Sequence, residues 1–156
     1  MPATKCGFND IPGGATGADN LVQRGPTLLV DIGFDPNYIF GPSAPLPVPG
    51  KTKLAALVDT GATKCCIDSL LAAQLNLPIV DRRVTAGAHG AREVNVHLAQ
   101  VFVPSLNFTI YGAFAGVDLL AGGQLYSALI GRTFLKYFRM VYEGPTGNVE
   151  LSSPTP

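Results

Sequence analysis

Leu57-Val58-Asp59-Thr60-Gly61-Ala62 is the stretch on which the fold turns. It sets an acid at the end of an apolar run, Lys53 to Val58, that reads as a strand. A hydroxyl and a glycine follow. The glycine permits a tight turn, and the hydroxyl can tie that turn to a partner. Asp59 would sit in a fixed loop beside an apolar core, where a carboxylate is costly unless paired or hydrogen-bonded. Asp, Thr and Gly are also ordinary turn residues, so on these six positions alone a plain turn is the simpler reading.

Reading outward, Pro26 to Phe34 is a strand by its β-branched and apolar content. Pro36, Pro42, Pro45, Pro47 and Pro49 make the segment before Lys53 an extended loop. Downstream, Asp68-Ser69 offers a cap for a short helix through Leu75, stopped by Asn76 and Pro78. A hairpin is expected from Val84 to Phe102: Gly87-Ala88-His89-Gly90 turns, and Val94, Val96 and Leu98 alternate with polar residues on the way out. Val101 to Val103 and Phe108 to Tyr111 are expected as further strands, and Gly112 to Gly123 as a loop of small residues. Ala128 to Ile130 is an apolar run closed by Gly131, and Thr133 to Phe138 has room for a helical turn. Arg139 to Tyr142 and Asn148 to Leu151 flank a Gly-Pro-Thr-Gly turn. The fold class expected is all-β, one closed barrel-like or sandwich-like domain with one or two short helices.

In this context the Asp59 segment resembles the retropepsin-like aspartic proteases, the single-domain retroviral type. Their signature of two apolar residues, Asp, Thr or Ser, Gly and Ala is matched by Leu57 to Ala62. A glycine-tipped flap hairpin, here Ala86-Gly87-Ala88-His89-Gly90-Ala91, comes next. A late apolar-apolar-Gly-Arg element, here Leu129-Ile130-Gly131-Arg132, completes the order. The resemblance implies that Asp59 is catalytic and that Thr60 braces the two active loops across a dimer. It also implies that Gly61 and Ala62 shape the loop and that Leu129, Ile130, Gly131 and Arg132 support it from below. The six flap residues would cover an extended peptide or protein substrate.

A catalytic dyad needs two aspartates, and this chain carries one Asp-Thr-Gly. Asp31-Ile32-Gly33 lacks the hydroxyl, and Asp118 is followed by leucine. A symmetric homodimer supplying one Asp59 from each chain is therefore expected. The implied function is peptide hydrolysis by an aspartic endopeptidase with no metal and no cofactor. A non-catalytic dimerisation or peptide-binding module on the same fold is the alternative. One departure stands out: viral members usually carry, two residues after the glycine, an aspartate that pairs with the late arginine. Here that place is Thr63, followed by Lys64, so Arg132 must find another acceptor.

Length and composition bound the rest. The chain has 156 residues, one domain's worth, with 11 basic and 11 acidic residues. Zero net charge gives no electrostatic reason to expect nucleic acid or a membrane surface as partner. Glycine (18) and proline (13) favour many short strands over long helices. The three cysteines, two adjacent, read as reduced core thiols rather than a disulfide scaffold. His89 and His97 lack a third ligand for zinc. With no signal-like or membrane-spanning run, the expected location is soluble and cytoplasmic. The expected organisation is an arm or pro-segment over 1–25, the protease domain over 26–151 and a tail over 152–156.

Overall fold

The computed structural model describes residues 2–41, 43–87 and 90–154. Strands β2 (Thr27–Gly33) and β3 (Lys51–Val58) pair antiparallel and alternate inward and outward residues. Leu28, Val30 and Ile32 on one, and Leu54, Ala56 and Val58 on the other, are buried. That period-2 pattern is what allows each strand to cover a core with one face. β3 also pairs in parallel with β8 (Ala128–Ile130), which lies antiparallel to β4 (Cys66–Asp68). β4 pairs in parallel with β7 (Phe108–Val117), and β7 lies antiparallel to β6 (Gly90–Val103). β6 returns to β2 through Asp31↔Phe102, Ile32↔Val101 and Gly33↔Gln100. The ring of six strands is closed, so no barrel edge is left as an unpaired ladder.

β5 (Ile79–Gly87) stands outside the ring and pairs with the first part of β6, down to Gly87↔Gly90 at the tip. The flap hairpin therefore begins at Ile79, earlier than the sequence indicates, and Ala88 and His89 lie outside the described residues. The two stretches read separately as the outgoing hairpin strand and Val101–Val103 are one continuous β6.

Two expectations fail. Gly112 to Gly123 is not all loop, because β7 runs on to Val117. Its last residues find β4 as a parallel partner, Cys66↔Ala115 to Asp68↔Val117, a pairing that local sequence cannot reveal. The first 25 residues are not a loose arm either. β1 (Ala3–Lys5) pairs with β10 (Asn148–Ser152), which pairs in turn with β9 (Arg139–Glu143). Thr16 caps α1 (Gly17–Arg24) by accepting from the Asp19 amide at 3.0 Å. Cys6 and Leu21 are buried in the same core as the barrel strands. What permits this is close backbone approach: a Cβ on Gly17 would lie 2.2 Å from the Phe8 carbonyl oxygen, and one on Gly7 would lie 2.2 Å from that of Gly147. The Gly-rich opening is thus a packing device.

α2 (Ser69–Gln74) is capped by Asp68, whose side chain accepts from the Leu71 amide at 3.1 Å. Asn76 takes a left-handed conformation, φ 51°, directly after the helix. A 3-10 turn at Pro104–Leu106 joins β6 to β7. After β8, Arg132–Leu135 forms the single turn α3. Phe134 pins that turn to β7, its ring 5.4 Å from Phe108 edge-on and 4.7 Å from Phe138. Burying a side chain of this size is worth about 1.5–3 kcal/mol, enough to fix where α3 sits beneath the loop after β3. Among the described residues no helix is long and apolar enough to cross a membrane.

Candidate active site

Asp59 is the first residue past β3, where the strand's neighbours have already set its position. Its amide donates to the Ile130 carbonyl at 2.9 Å, continuing the parallel pairing of β3 and β8. The chain then turns tightly, the Ala62 amide donating to the Asp59 carbonyl at 3.2 Å. The carboxylate is half-exposed and accepts the Gly61 amide through Oδ1 at 2.9 Å. Gly61 does not occupy the left-handed region that its turn role suggests; its glycine character matters for another reason. A Cβ there would lie 3.1 Å from Asp59 Oδ1, in the space the carboxylate uses to reach the amide.

The late element closes on this loop from below. The Arg132 and Thr133 amides donate to the Ala62 and Thr63 carbonyls at 2.9 and 3.0 Å. A Cβ on Gly131 would lie 2.5 Å from the Lys64 carbonyl oxygen and 2.9 Å from that of Ala62, so only glycine lets the two segments touch. Gly131 also donates to Cys65 Sγ at 3.3 Å. The acceptor of Arg132 is now identified: one guanidinium nitrogen donates to the Thr60 carbonyl at 2.7 Å, the other to Thr63 Oγ1 at 3.1 Å. Thr63 thus takes over, without charge, part of what an aspartate would do there. Main-chain bonds join Asp59, Ala62, Ile130 and Arg132, side-chain bonds add Thr60 and Gly61, Gly131 packs against the loop, and Leu129 reaches the wall of the groove described next.

That groove, about 1420 Å³, lies between the loop and the flap. Residues 61–66 form one side, and Arg83, Thr85, Ala86, Gly90, Arg92 and Val94 of the flap another. Ala115 to Leu119 complete it. Ala91 is exposed on the flap beside them and is not part of the lining.

Several residues that the sequence marks only as a helix cap or as rejected candidates organise the groove. Asp118 accepts from the Ser69 hydroxyl and pairs with Arg92 at 3.1 Å, linking flap to body. The Ser69 hydroxyl, then the Arg92 guanidinium, hold the Asp118 carboxyl below the usual aspartate range. Asp68, fully buried, does more than cap α2: its Oδ1 accepts the Leu119 and Leu120 amides, each at 3.1 Å, and so anchors the segment that carries Asp118. His97 on the groove floor holds its Nδ1 3.1 Å from the Leu77 carbonyl, which can only accept, so this nitrogen carries the proton. No local signal marks these partners, because each pair joins distant elements.

Burial pushes the Cys66 thiol up to about 12 against a lowering bond from Leu129, with Cys65 and Asp59 adding to the rise. Burial likewise raises Cys65, and it takes Cys6 to about 11. The expected decoy, Asp31, accepts the Lys53 amide at 3.0 Å where the β2–β3 register shifts and Lys53 takes φ 56°. It is a bulge cap. Among the described residues no group of three or more His, Cys, Asp or Glu could hold a metal ion.

No curated protein matches the chain. Among solved structures it is similar to EIAV protease complexed with the inhibitor HBY-793, at 17% identity and a TM-score of 0.43, over 71% of this chain and 85% of that one. The family model described as "gag-polyprotein putative aspartyl protease" matches residues 45–137, more than half of the chain. That span holds the Asp59 loop, the flap and the Gly131-Arg132 element together, and the chain belongs to this retropepsin-like aspartic protease family.

Proposed function

We propose that the chain is a homodimeric aspartic endopeptidase in which Asp59 of each of two copies forms the catalytic pair. The observation that carries this reading is the main-chain cradle of Asp59. Its amide is fixed on β8, its carboxylate is held on Gly61, and Gly61 and Ala62 open into the groove beneath the flap. A carboxylate placed so firmly yet left half-exposed is suited to meeting its symmetry mate.

Two aspartates at about 3 Å cannot both ionise, so the pair shares one proton. The ionised member takes a proton from a bound water as the water oxygen attacks the peptide carbonyl. The protonated member donates to that carbonyl oxygen, giving a neutral tetrahedral diol. Collapse returns the hydroxyl proton to one carboxylate while the other protonates the leaving amine, and the C–N bond breaks. Asp59 from each chain does this work, Thr60 reaches across to the partner loop, and the flaps exclude water over an extended peptide.

The test is a peptide-library digest with the parent and with Asp59→Asn and Asp59→Ala, each checked for native circular dichroism. Cleavage by the parent and none by either variant is expected; an Asp59→Ala protein cleaving at the parent rate overturns the assignment. Sedimentation at micromolar concentration should show a dimer, and an active species that stays strictly monomeric defeats the shared pair.

A further inference from the structure

We infer that Lys64 makes the groove select an extended peptide with a carboxylate side chain close to, but not at, the scissile bond. The term scissile rests on the protease reading above; the charge preference rests on the groove itself. Five charged residues line it: Lys64, Arg83, Arg92, Glu93 and Asp118. Four of these are already matched. Arg92 pairs with Asp118 at 3.1 Å, Glu93 with Arg82 at 3.5 Å, and Arg83 with Asp81 at 3.7 Å. Asp118 is further held by the Ser69 hydroxyl. Lys64 is exposed and, among the described residues, makes no ion pair with any acid. The groove therefore presents one uncompensated positive charge.

Its placement gives that charge a role. The Lys64 carbonyl is pressed against Gly131, so the backbone carrying the ammonium cannot drift. Thr63, next to it, accepts from Arg132 at its hydroxyl oxygen; its O–H can still donate but carries no charge, so the charge at this place is that of Lys64. Gly61 and Ala62 line the groove between Asp59 and Lys64 with little bulk. A peptide lying along this side meets the Asp59 loop first and Lys64 next along the same wall. An acidic residue at the bond itself would face the charge of Asp59. An ammonium acts as a point charge with rotatable donors, so aspartate and glutamate both suit it.

The experiment scans one glutamate along an otherwise neutral extended peptide, each peptide matched to its glutamine isostere. Binding to the catalytically silent Asp59→Asn protein is read by fluorescence anisotropy, and cleavage by the parent is read in parallel. One position should favour glutamate by about two- to fivefold, the upper part of the range of an exposed ion pair. The preference should fade at about 1 M salt, where the Debye length is about 3 Å. It should vanish in Lys64→Gln and turn toward a lysine-bearing peptide in Lys64→Glu. A glutamate preference that persists in Lys64→Gln, or one absent at every position, overturns the inference. Glutamate-selective binding without cleavage by the parent leaves the charge selection standing and removes the protease reading. Cleavage with no charge preference does the reverse, and failure to bind any peptide overturns both.

Discussion

The Arg132 guanidinium lies 2.7 Å from the carbonyl oxygen of Thr60, the residue that follows the candidate catalytic aspartate. Its second bond, to Thr63 Oγ1, makes one side chain a clamp across both limbs of the loop. A charge-assisted bond contributes about 1.5–3 kcal/mol, less where water competes as it does here. Arg132→Ala is expected to cost about 1–2 kcal/mol in denaturant titration and to lower kcat/KM by more than that loss explains. Arg132→Lys should recover part of the stability, since an ammonium can hold one acceptor but not the planar pair.

Gly61 and Gly131 should respond differently to alanine. At Gly61 the new methyl meets only the Asp59 carboxylate, and the backbone is not in a left-handed conformation. Gly61→Ala should leave the melting temperature near that of the parent and lower kcat/KM about tenfold or more, the effect of about 1.4 kcal/mol lost from the transition state. At Gly131 the methyl meets two carbonyl oxygens that cannot move without parting the loop from α3. Gly131→Ala should destabilise by about 1–3 kcal/mol, as overpacking does. Equal losses of stability in the two variants would falsify this division.

The Arg92–Asp118 pair ties the flap to the segment anchored by Asp68. Asp118 is held below the ordinary aspartate range, by the Ser69 hydroxyl first and by Arg92 after it. Its contribution is therefore complete above the ordinary range and is lost as pH falls through the depressed value. Amide exchange in β5 and the first half of β6 should accelerate on acidification relative to the barrel strands. The Asp118→Asn protein should show that acceleration already at neutral pH, with little further change on acidification. Identical pH profiles for parent and variant would remove the tie.

The thiols give an alkaline counterpart. Burial raises Cys66 to about 12 and Cys6 to about 11. Groups whose protonated form is favoured by folding stabilise fully below the ordinary thiol value, and that contribution is lost as pH rises through the raised one. Near neutral pH both thiols should resist a thiol reagent in the native protein and react on addition of denaturant. Fast native labelling at Cys6, located by mass spectrometry, would contradict its burial; Cys66, half-buried at the groove wall, resists through its raised value.

Much of the barrel is legible because its strands carry their own punctuation. Val58 before Asp59, Asp68-Ser69 before α2, and Gly144 to Gly147 between β9 and β10 mark boundaries that local chemistry decides. The candidate loop is legible as a motif, and so is the need for a new partner for Arg132. The partner itself is not, because Thr60 donates nothing in sequence and offers a main-chain carbonyl that every residue has. The N-terminal segment misleads for a related reason. Cys6 and Leu21 are single apolar residues without period, and their burial depends on Gly7 and Gly17 fitting against residues far along the chain. β7 misleads because Gly112, Ala113, Ala115 and Gly116 look like loop. Small residues are in fact needed where Gly116 lies against His97, with room for a Cβ only 3.1 Å from the ring nitrogen Nε2.

The fourteen residues of β6 belong to two structures at once. From Val96 onward the strand is barrel wall, laddered to β7; from Asn95 back to Gly90 it is laddered to β5 alone. Wall and flap therefore share one continuous strand, while the β5 ladder slips register between Ile79 and Asp81, opposite Val96–His97. The fulcrum falls at Val96–His97, where the imidazole grips the Leu77 carbonyl. Pressure from a ligand beneath the flap would travel down this strand into the barrel, and stiffness at the fulcrum would set how far the tip can swing.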